Sequence, residues 1–312
     1  MPQPPPIAHS APEQRGGILF AFAAYGLWGF IPIYFLVLAP AGAFEIVAWR
    51  VLFSVVFCVI VILVLRRWGT LLRLLRDRRT MLILGLAGVL VFINWQVYVY
   101  AVVAGRVNEA ALGYFINPIV TVLLGVIVLR EKLRPTQWVA VAVSAIAVIV
   151  LSVNYGAFPW VSLALAFSFG LYGLAKKRVG PRVDALTGLA VETAWLIPLA
   201  VVQLVFVGAT TGIVFGTAGI ANTALLAAAG IVTSVPLLLF AAAARRLPLV
   251  IIGFVQYLTP ILQFIIGTFL LHEAMPPERW IGFSLVWLAL IILSTDMVFH
   301  SRSVRRASPL PG

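Results

Sequence analysis

Arg50 and Glu192 stand where charge is costly. Each lies well inside a long apolar run, "AFEIVAWRVLFSVVF" (43–57) and "GLAVETAWLIPLAVV" (188–202). In hydrocarbon such a charge costs at least about 2.5–3.5 kcal/mol unless it is paired or wet. A cation and an anion at that depth either hold each other as a static pair or line a cavity and hold a solute. Asn94, Trp95 and Gln96, Tyr114 and Asn117, and Gln256, Tyr257 and Gln263 add polar and aromatic groups within other apolar runs. Aromatic rings with a few hydrogen-bonding groups suit an amphipathic small molecule. Pro118 and Pro260 follow the polar residues Asn117 and Thr259. A proline inside a helix removes a donor and frees the carbonyl four residues back, here those of Tyr114 and Gln256. The candidate substrate-binding residues are therefore Arg50, Asn94, Trp95, Tyr114, Asn117, Glu192, Gln256 and Tyr257. Pro118 and Pro260 are candidate helix breaks for gating, against the simpler reading of packing kinks.

This is chemistry for binding, and no catalytic residue is assigned. The three histidines, His9, His272 and His300, fall in a tail or at the ends of apolar runs, and no His-rich or paired-carboxylate constellation appears. Cys58 is the single cysteine, which excludes an internal disulfide. No phosphate-binding glycine loop is present, and no cofactor or metal is implied. A polytopic membrane enzyme acting on a lipid is the alternative class, and it lacks the clustered nucleophile, base or metal ligands such an enzyme needs.

The elements that position these residues follow from composition. Hydrophobic residues make up 62% of the 312, charged residues only 10%, and the mean hydropathy is +1.09. A soluble domain carries about 25% charged residues, so the chain belongs in a bilayer. The net charge of +12 sits in short loops between apolar runs. Lipid headgroups and membrane orientation account for it, and nucleic acid is not an expected partner. A spanning helix needs about 20 apolar residues, and backbone groups in lipid must be satisfied within their own segment. The sequence predicts ten such helices, over 17–38, 43–65, 81–103, 107–129, 136–153, 157–175, 184–207, 223–243, 248–271 and 278–298. The run 66–79, "RRWGTLLRLLRDRR", predicts a basic amphipathic helix on the inner leaflet. The first apolar run is too long for a signal-peptide core and is read as a retained span.

Lysine and arginine sort by loop. The N-terminus, the even-numbered loops and the C-terminus hold 19 of the 22. Under the positive-inside rule both termini are cytoplasmic. On this topology Arg50 lies about 10 Å below the outer end of its span and Glu192 about 12 Å above the inner end of its own. Across a core of about 30 Å the depth gap is about 8 Å, so the two side chains are expected to reach each other in one state.

The chain also repeats. "LREKLRPTQW" (129–138) returns 142 positions later as "LHEAMPPERW" (271–280), keeping Leu, Glu, Pro and Trp while losing cations. Pro118 and Pro260, Gly125 and Gly267, and Ser152 and Ser294 share that offset, and "GLWG" (26–29) echoes "GLYG" (170–173). Each half holds five spans. Five is odd, so the second copy enters from the opposite side, and the lost cations are those that would then face outward. Inverted repeats of this kind are a signature of secondary transporters. The expected layout is a tail (1–16), a first repeat (17–153), a second repeat (154–298) and a tail (299–312).

Four stretches carry a resemblance: "NWQVYVYAVVAGRVNEAALGYFINPIV" (94–120), "ALAFSFGLYGLAKKRV" (164–179), "VETAWLIP" (191–198) and "IVTSVPLLLFAAAARRLPLVIIGFVQYLTP" (231–260). The chain resembles the RarD-type permeases of the EamA branch of the drug/metabolite transporter superfamily, from about residue 17 to 298. The resemblance implies an all-α protein of the bacterial inner membrane, with ten helices in two inverted repeats. It also implies transport of a small-molecule substrate, linked to chloramphenicol sensitivity; membrane lipids, met by the basic run 66–79, are the other expected partner. It carries no site residue with it. Many members have His before the arginine of span two, where this chain has Trp49, so any proton-handling role of that His is absent.

Overall fold

In a computed structural model, residues 11–129, 135–154, 158–179, 183–244, 246–247 and 255–307 are described. Among them every regular element is a helix. The helices are α1 (Ala11–Val37), α2 (Ala43–Val64), α3 (Trp68–Arg76), α4 (Arg78–Val103), α5 (Val107–Leu129) and α6 (Pro135–Asn154). They continue as α7 (Trp160–Val179), α8 (Ala185–Trp195), α9 (Ile197–Thr210), α10 (Ile220–Ala244), α11 (Leu258–Ile265) and α12 (Pro277–Ala307). A π-helical turn, Ile266–Leu270, prolongs α11.

Each expected span meets a helix, with two departures. Span seven is broken: α8 and α9 meet at 43°. Pro198, in the first turn of α9, lacks the N–H that would have continued α8. Span nine is described only from Val255, and its earlier residues lie outside the described set. Five of the described helices are long and apolar enough to cross a membrane, or six with α8 and α9 taken together.

The molecule is turned outside in. Leu19, Leu82 and Ile127 are 70%, 67% and 72% exposed, while Arg50, Asn94, Asn117, Glu192 and Gln263 are buried. Water would expel that apolar surface and lipid accepts it. Trp68, Trp138, Trp160 and Trp280 are partly exposed close to the starts of α3, α6, α7 and α12, as expected of interface anchors. The predicted amphipathic segment forms α3, which buries no residue and ends on Arg73 and Arg76. Asp77 then caps α4, accepting from the N–H groups of Arg79 and Thr80.

The larger buried cluster joins α1, α2, α4, α7 and α10 through Phe35, Val51, Trp95, Leu165 and Leu226. A second joins α5, α6, α11 and α12 through Phe115, Ala140, Phe264 and Phe283. The principal packings are α1 on α10 and α11, α7 on α4 and α5, α2 on α10, α4 on α8, α2 on α8 and α9, α5 on α11, and α6 on α12. Two crossings are backbone-close. A Cβ on Gly230 would stand 2.3 Å from the carbonyl carbon of Phe53, and one on Gly88 would stand 2.8 Å from the carbonyl oxygen of Glu192.

Three carboxylates close to span ends accept from backbone N–H groups or pair with arginines. Glu45 accepts from the N–H groups of Val214 and Phe215. Glu109 pairs with Arg106 and Arg279. Glu273 accepts from the N–H groups of Val107 (2.5 Å) and Asn108 (2.9 Å) at the start of α5, two donors that the helix itself cannot satisfy. Burial nevertheless holds the Glu273 carboxyl above the usual carboxylate range, against the pull of those N–H groups and of Arg279.

Candidate functional site

Arg50 projects from the middle of α2 and is 5% exposed. Its Nε donates to Thr233 Oγ1 of α10 at 2.6 Å. Its guanidinium lies 4.2 Å from the ring centroid of Trp95 and 5.5 Å from that of Phe35. Tyr34, Tyr98 and Tyr114 are the titratable groups facing it. Its Nη1 is buried and has no hydrogen-bond partner. A desolvated cation–π contact is worth about 2 kcal/mol and a hydrogen bond to a charged group about 1.5–3 kcal/mol. Those terms are comparable with the cost of the charge, yet Nη1, with its two N–H groups, is left over.

A polar and aromatic track leads away from this cation. Tyr98 packs on Phe35 and Tyr114, and its hydroxyl accepts from Gln263 Nε2 of α11 at 2.9 Å. Tyr114 donates to Asn94 Oδ1 at 3.1 Å. The Asn94 amide donates in turn to Leu165 O and Ser168 Oγ of α7. Phe169 links Tyr114 to Tyr172. The track ends at Glu192, 1% exposed, which accepts from Lys176 Nζ at 2.6 Å and from the Tyr172 hydroxyl at 3.2 Å.

The prolines are not equivalent. The α-helix α5 runs unbroken through Pro118. Pro260 falls in the first turn of α11, after a turn at Tyr257, where a missing N–H is tolerated. The residues before them behave alike: Asn117 Nδ2 donates to Ala166 O of α7 at 2.9 Å, and Thr259 Oγ1 donates to Tyr25 O of α1 at 2.7 Å. Both bonds join the two halves of the chain.

The arrangement can bind and orient a solute between helices. Among the described residues no group of three or more His, Cys, Asp or Glu is placed to hold a metal ion. A surface groove of about 460 Å³ between the α9–α10 loop and α10 is lined by Gly216, Ile220, Thr223 and their neighbours and carries no charge, so it is not where the polar groups converge.

Residues 15–153 match the model of the EamA-like transporter family. Protein RarD of Streptomyces exfoliatus is 47% identical over 293 residues, covering 94% of this chain and 92% of that one. The chain belongs to the EamA-like transporter family. Within the family it is also similar to the "Chloramphenicol-sensitive protein RarD" of Pseudomonas aeruginosa, at 30% identity over 90% of this chain and 94% of that one. A solved crystal structure superposes with a TM-score of 0.60 over 90% of this chain and 98% of its own, at 17% identity, a likeness of fold alone.

In this EamA-family protein the expected site residues divide. Arg50, Asn94, Trp95 and Tyr114 share one cluster, Asn117 lies one helical turn from Tyr114, and Glu192 closes the track. Gln256 and Tyr257 stand outside it: Tyr257 packs in the second core and hydrogen-bonds Ser294 of α12, and Gln256 is half-buried at the turn before α11. Arg50 and Glu192 do not pair in this structure, because Lys176 holds the carboxylate. Thr233, Tyr98, Tyr172 and Lys176 are the members that sequence reasoning missed. Lys176 falls just past the expected span 157–175, but α7 continues to Val179. Thr233 carried a signal, as a polar pair with Ser234 in an otherwise apolar run.

Proposed function

We propose that this protein is a secondary transporter that moves a small organic solute across the inner membrane by alternating access. Its two halves, 17–153 and 154–298, would be inverted five-helix repeats with both termini in the cytoplasm. The observation that carries this reading is the exchange symmetry of the packing. Replacing each helix by its counterpart 142 positions on turns α1-on-α10 into α7-on-α4, α1-on-α11 into α7-on-α5, and α2-on-α10 into α8-on-α4, while α5-on-α11 and α6-on-α12 map onto themselves. Gly88 and Gly230, and Asn117 and Thr259, share the same offset, and each pair occupies equivalent crossings or inter-half bonds. Arg50 and Glu192 share it too. Two bundles related in this way can rock about a central site. The match of the family model to 15–153 supports the five-helix unit.

On this reading Glu192 is the proton carrier of a proton-coupled cycle, and the solute range reaches drug-like molecules of the kind named in the Pseudomonas relative. The test has three arms. Untargeted metabolite comparison of cells lacking and overproducing the protein identifies a solute, whose flux is then measured in proteoliposomes with and without a pH gradient. Cysteines introduced after the fourth and ninth expected spans, in a Cys58→Ser background, are expected to label from opposite sides. Labelling from one side ends the inverted-repeat reading. Flux indifferent to the gradient removes the proton role, and no flux of any accumulated solute removes transport.

A further inference from the structure

Among the described residues the guanidinium of Arg50 is a cation without an anion. It sits in the middle of α2 with 5% exposure, and its neighbours are a threonine hydroxyl, the rings of Trp95 and Phe35, and the phenols of Tyr34, Tyr98 and Tyr114. Among the described residues no carboxylate forms an ion pair with it. Glu192, the other deep charge, is taken by Lys176 at 2.6 Å. Structural arginines at such depth are matched by an acid or by main-chain carbonyls. Here Nη1 is buried, has no partner, and a ring stacked on the guanidinium cannot accept all its donors.

We infer that Arg50 binds the carboxylate of a monoanionic, aromatic or similarly flat organic acid, with the site completed by the rings of Trp95, Phe35, Tyr98 and Tyr114. The inference rests on the transport reading above and gives that site its substrate class. Three observations set the class. One uncompensated cation neutralises one negative charge, since Lys176 and Glu192 cancel each other in the paired state seen here; phosphate esters and dicarboxylates would bring that state a second charge with nothing to meet it. The surrounding wall is aromatic, which favours a flat apolar body. Gln263, bonded through Nε2 to Tyr98, keeps a buried Oε1 without a donor, so a hydroxyl or N–H on the solute would satisfy it. Amines are repelled by the same cation. Reaching Arg50 requires the helices around it to part, as a transport cycle does.

The test uses three near-isosteric probes of different charge: 4-hydroxyphenylacetate, its neutral amide 4-hydroxyphenylacetamide, and tyramine. Binding to the purified full-length protein is read by tryptophan fluorescence and thermal shift, and uptake of each labelled probe is measured in proteoliposomes at equal pH on both sides. The carboxylate is expected to bind at least about tenfold more tightly than the amide, as a charge-assisted bond in a buried site should allow, and tyramine is expected not to bind. Arg50→Gln should abolish the preference, and Arg50→Lys should keep its sign while weakening it. Equal or better binding of the amide or amine, or no binding of the carboxylate, overturns the inference without reference to any variant. So does an Arg50→Gln protein that folds and still prefers the acid. Those outcomes leave transport standing, because its failure is read separately, as absence of flux for the solute found by metabolite comparison.

Discussion

Removing either partner of the Lys176–Glu192 pair should destabilise the protein by unequal amounts. The carboxylate side chain is 1% exposed and the lysine side chain 32% exposed. Lys176→Met therefore strands Glu192 with only the Tyr172 hydroxyl, and stranding a buried charge costs about 3–5 kcal/mol. Glu192→Gln leaves a lysine that still reaches solvent and can still donate to the amide oxygen, so its cost should be about 1 kcal/mol, as for a partly exposed pair. The double variant should cost little more than Glu192→Gln alone, giving a coupling energy of about 2 kcal/mol or more in a double-mutant cycle. Equilibrium unfolding by SDS in mixed lipid–detergent micelles, followed by tryptophan fluorescence, measures all three. Equal costs for the two single variants, or strict additivity in the double, would refute the assignment of Lys176 as the group that holds Glu192.

Gly230→Ala, whose Cβ would collide with the backbone of Phe53, should destabilise by about 1–3 kcal/mol in the same unfolding assay. Gly173→Ala, with open space around it, should be neutral or stabilising by up to about 1 kcal/mol. Glu273 sets a pH dependence outside the spans. Its carboxyl is raised by burial, so the stability it contributes is complete below the ordinary glutamate value of about 4.3 and is lost as pH rises through its higher folded value. Glu273→Gln should flatten that decline, and an unchanged profile from pH 4 upward would refute the assignment. Thr259→Val removes the hydroxyl bond to Tyr25 O and should cost about 0.5–1.5 kcal/mol, read against Thr295→Val on an exposed face.

How far the sequence reached depends on which coordinate of a helix it reports. Apolar run length fixes position along the axis, so span limits such as 43–65 and 107–129 fall within a residue or so of α2 and α5. Depth was equally accessible, and it identified Arg50 and Glu192 as buried charges. Direction around the axis was not accessible, because in helices apolar on every side no polar stripe marks the inward face. Tyr257 therefore looked like a neighbour of Arg50 but turns toward α12. A depth gap of only about 8 Å made Arg50 and Glu192 look like partners, and α2 does pack on α8, yet it is the Lys176 ammonium that holds the carboxylate, at 2.6 Å. The break at Leu196 was visible as Pro198, but whether a proline bends a helix or is absorbed, as Pro118 is, depends on what packs around it.

The crossings at Gly230 and Gly88 have a mechanical consequence. Where backbone meets backbone, the two axes stand as close as main chains allow, so these crossings fix how far apart α2 and α10, and α4 and α8, can stand. Side chains still bridge both pairs beside the contact: Arg50 of α2 reaches Thr233 of α10, and Trp195 of α8 lies over Gly85 of α4. Each close approach is thus a pivot with a side-chain latch beside it, one near Arg50 and one at Glu192.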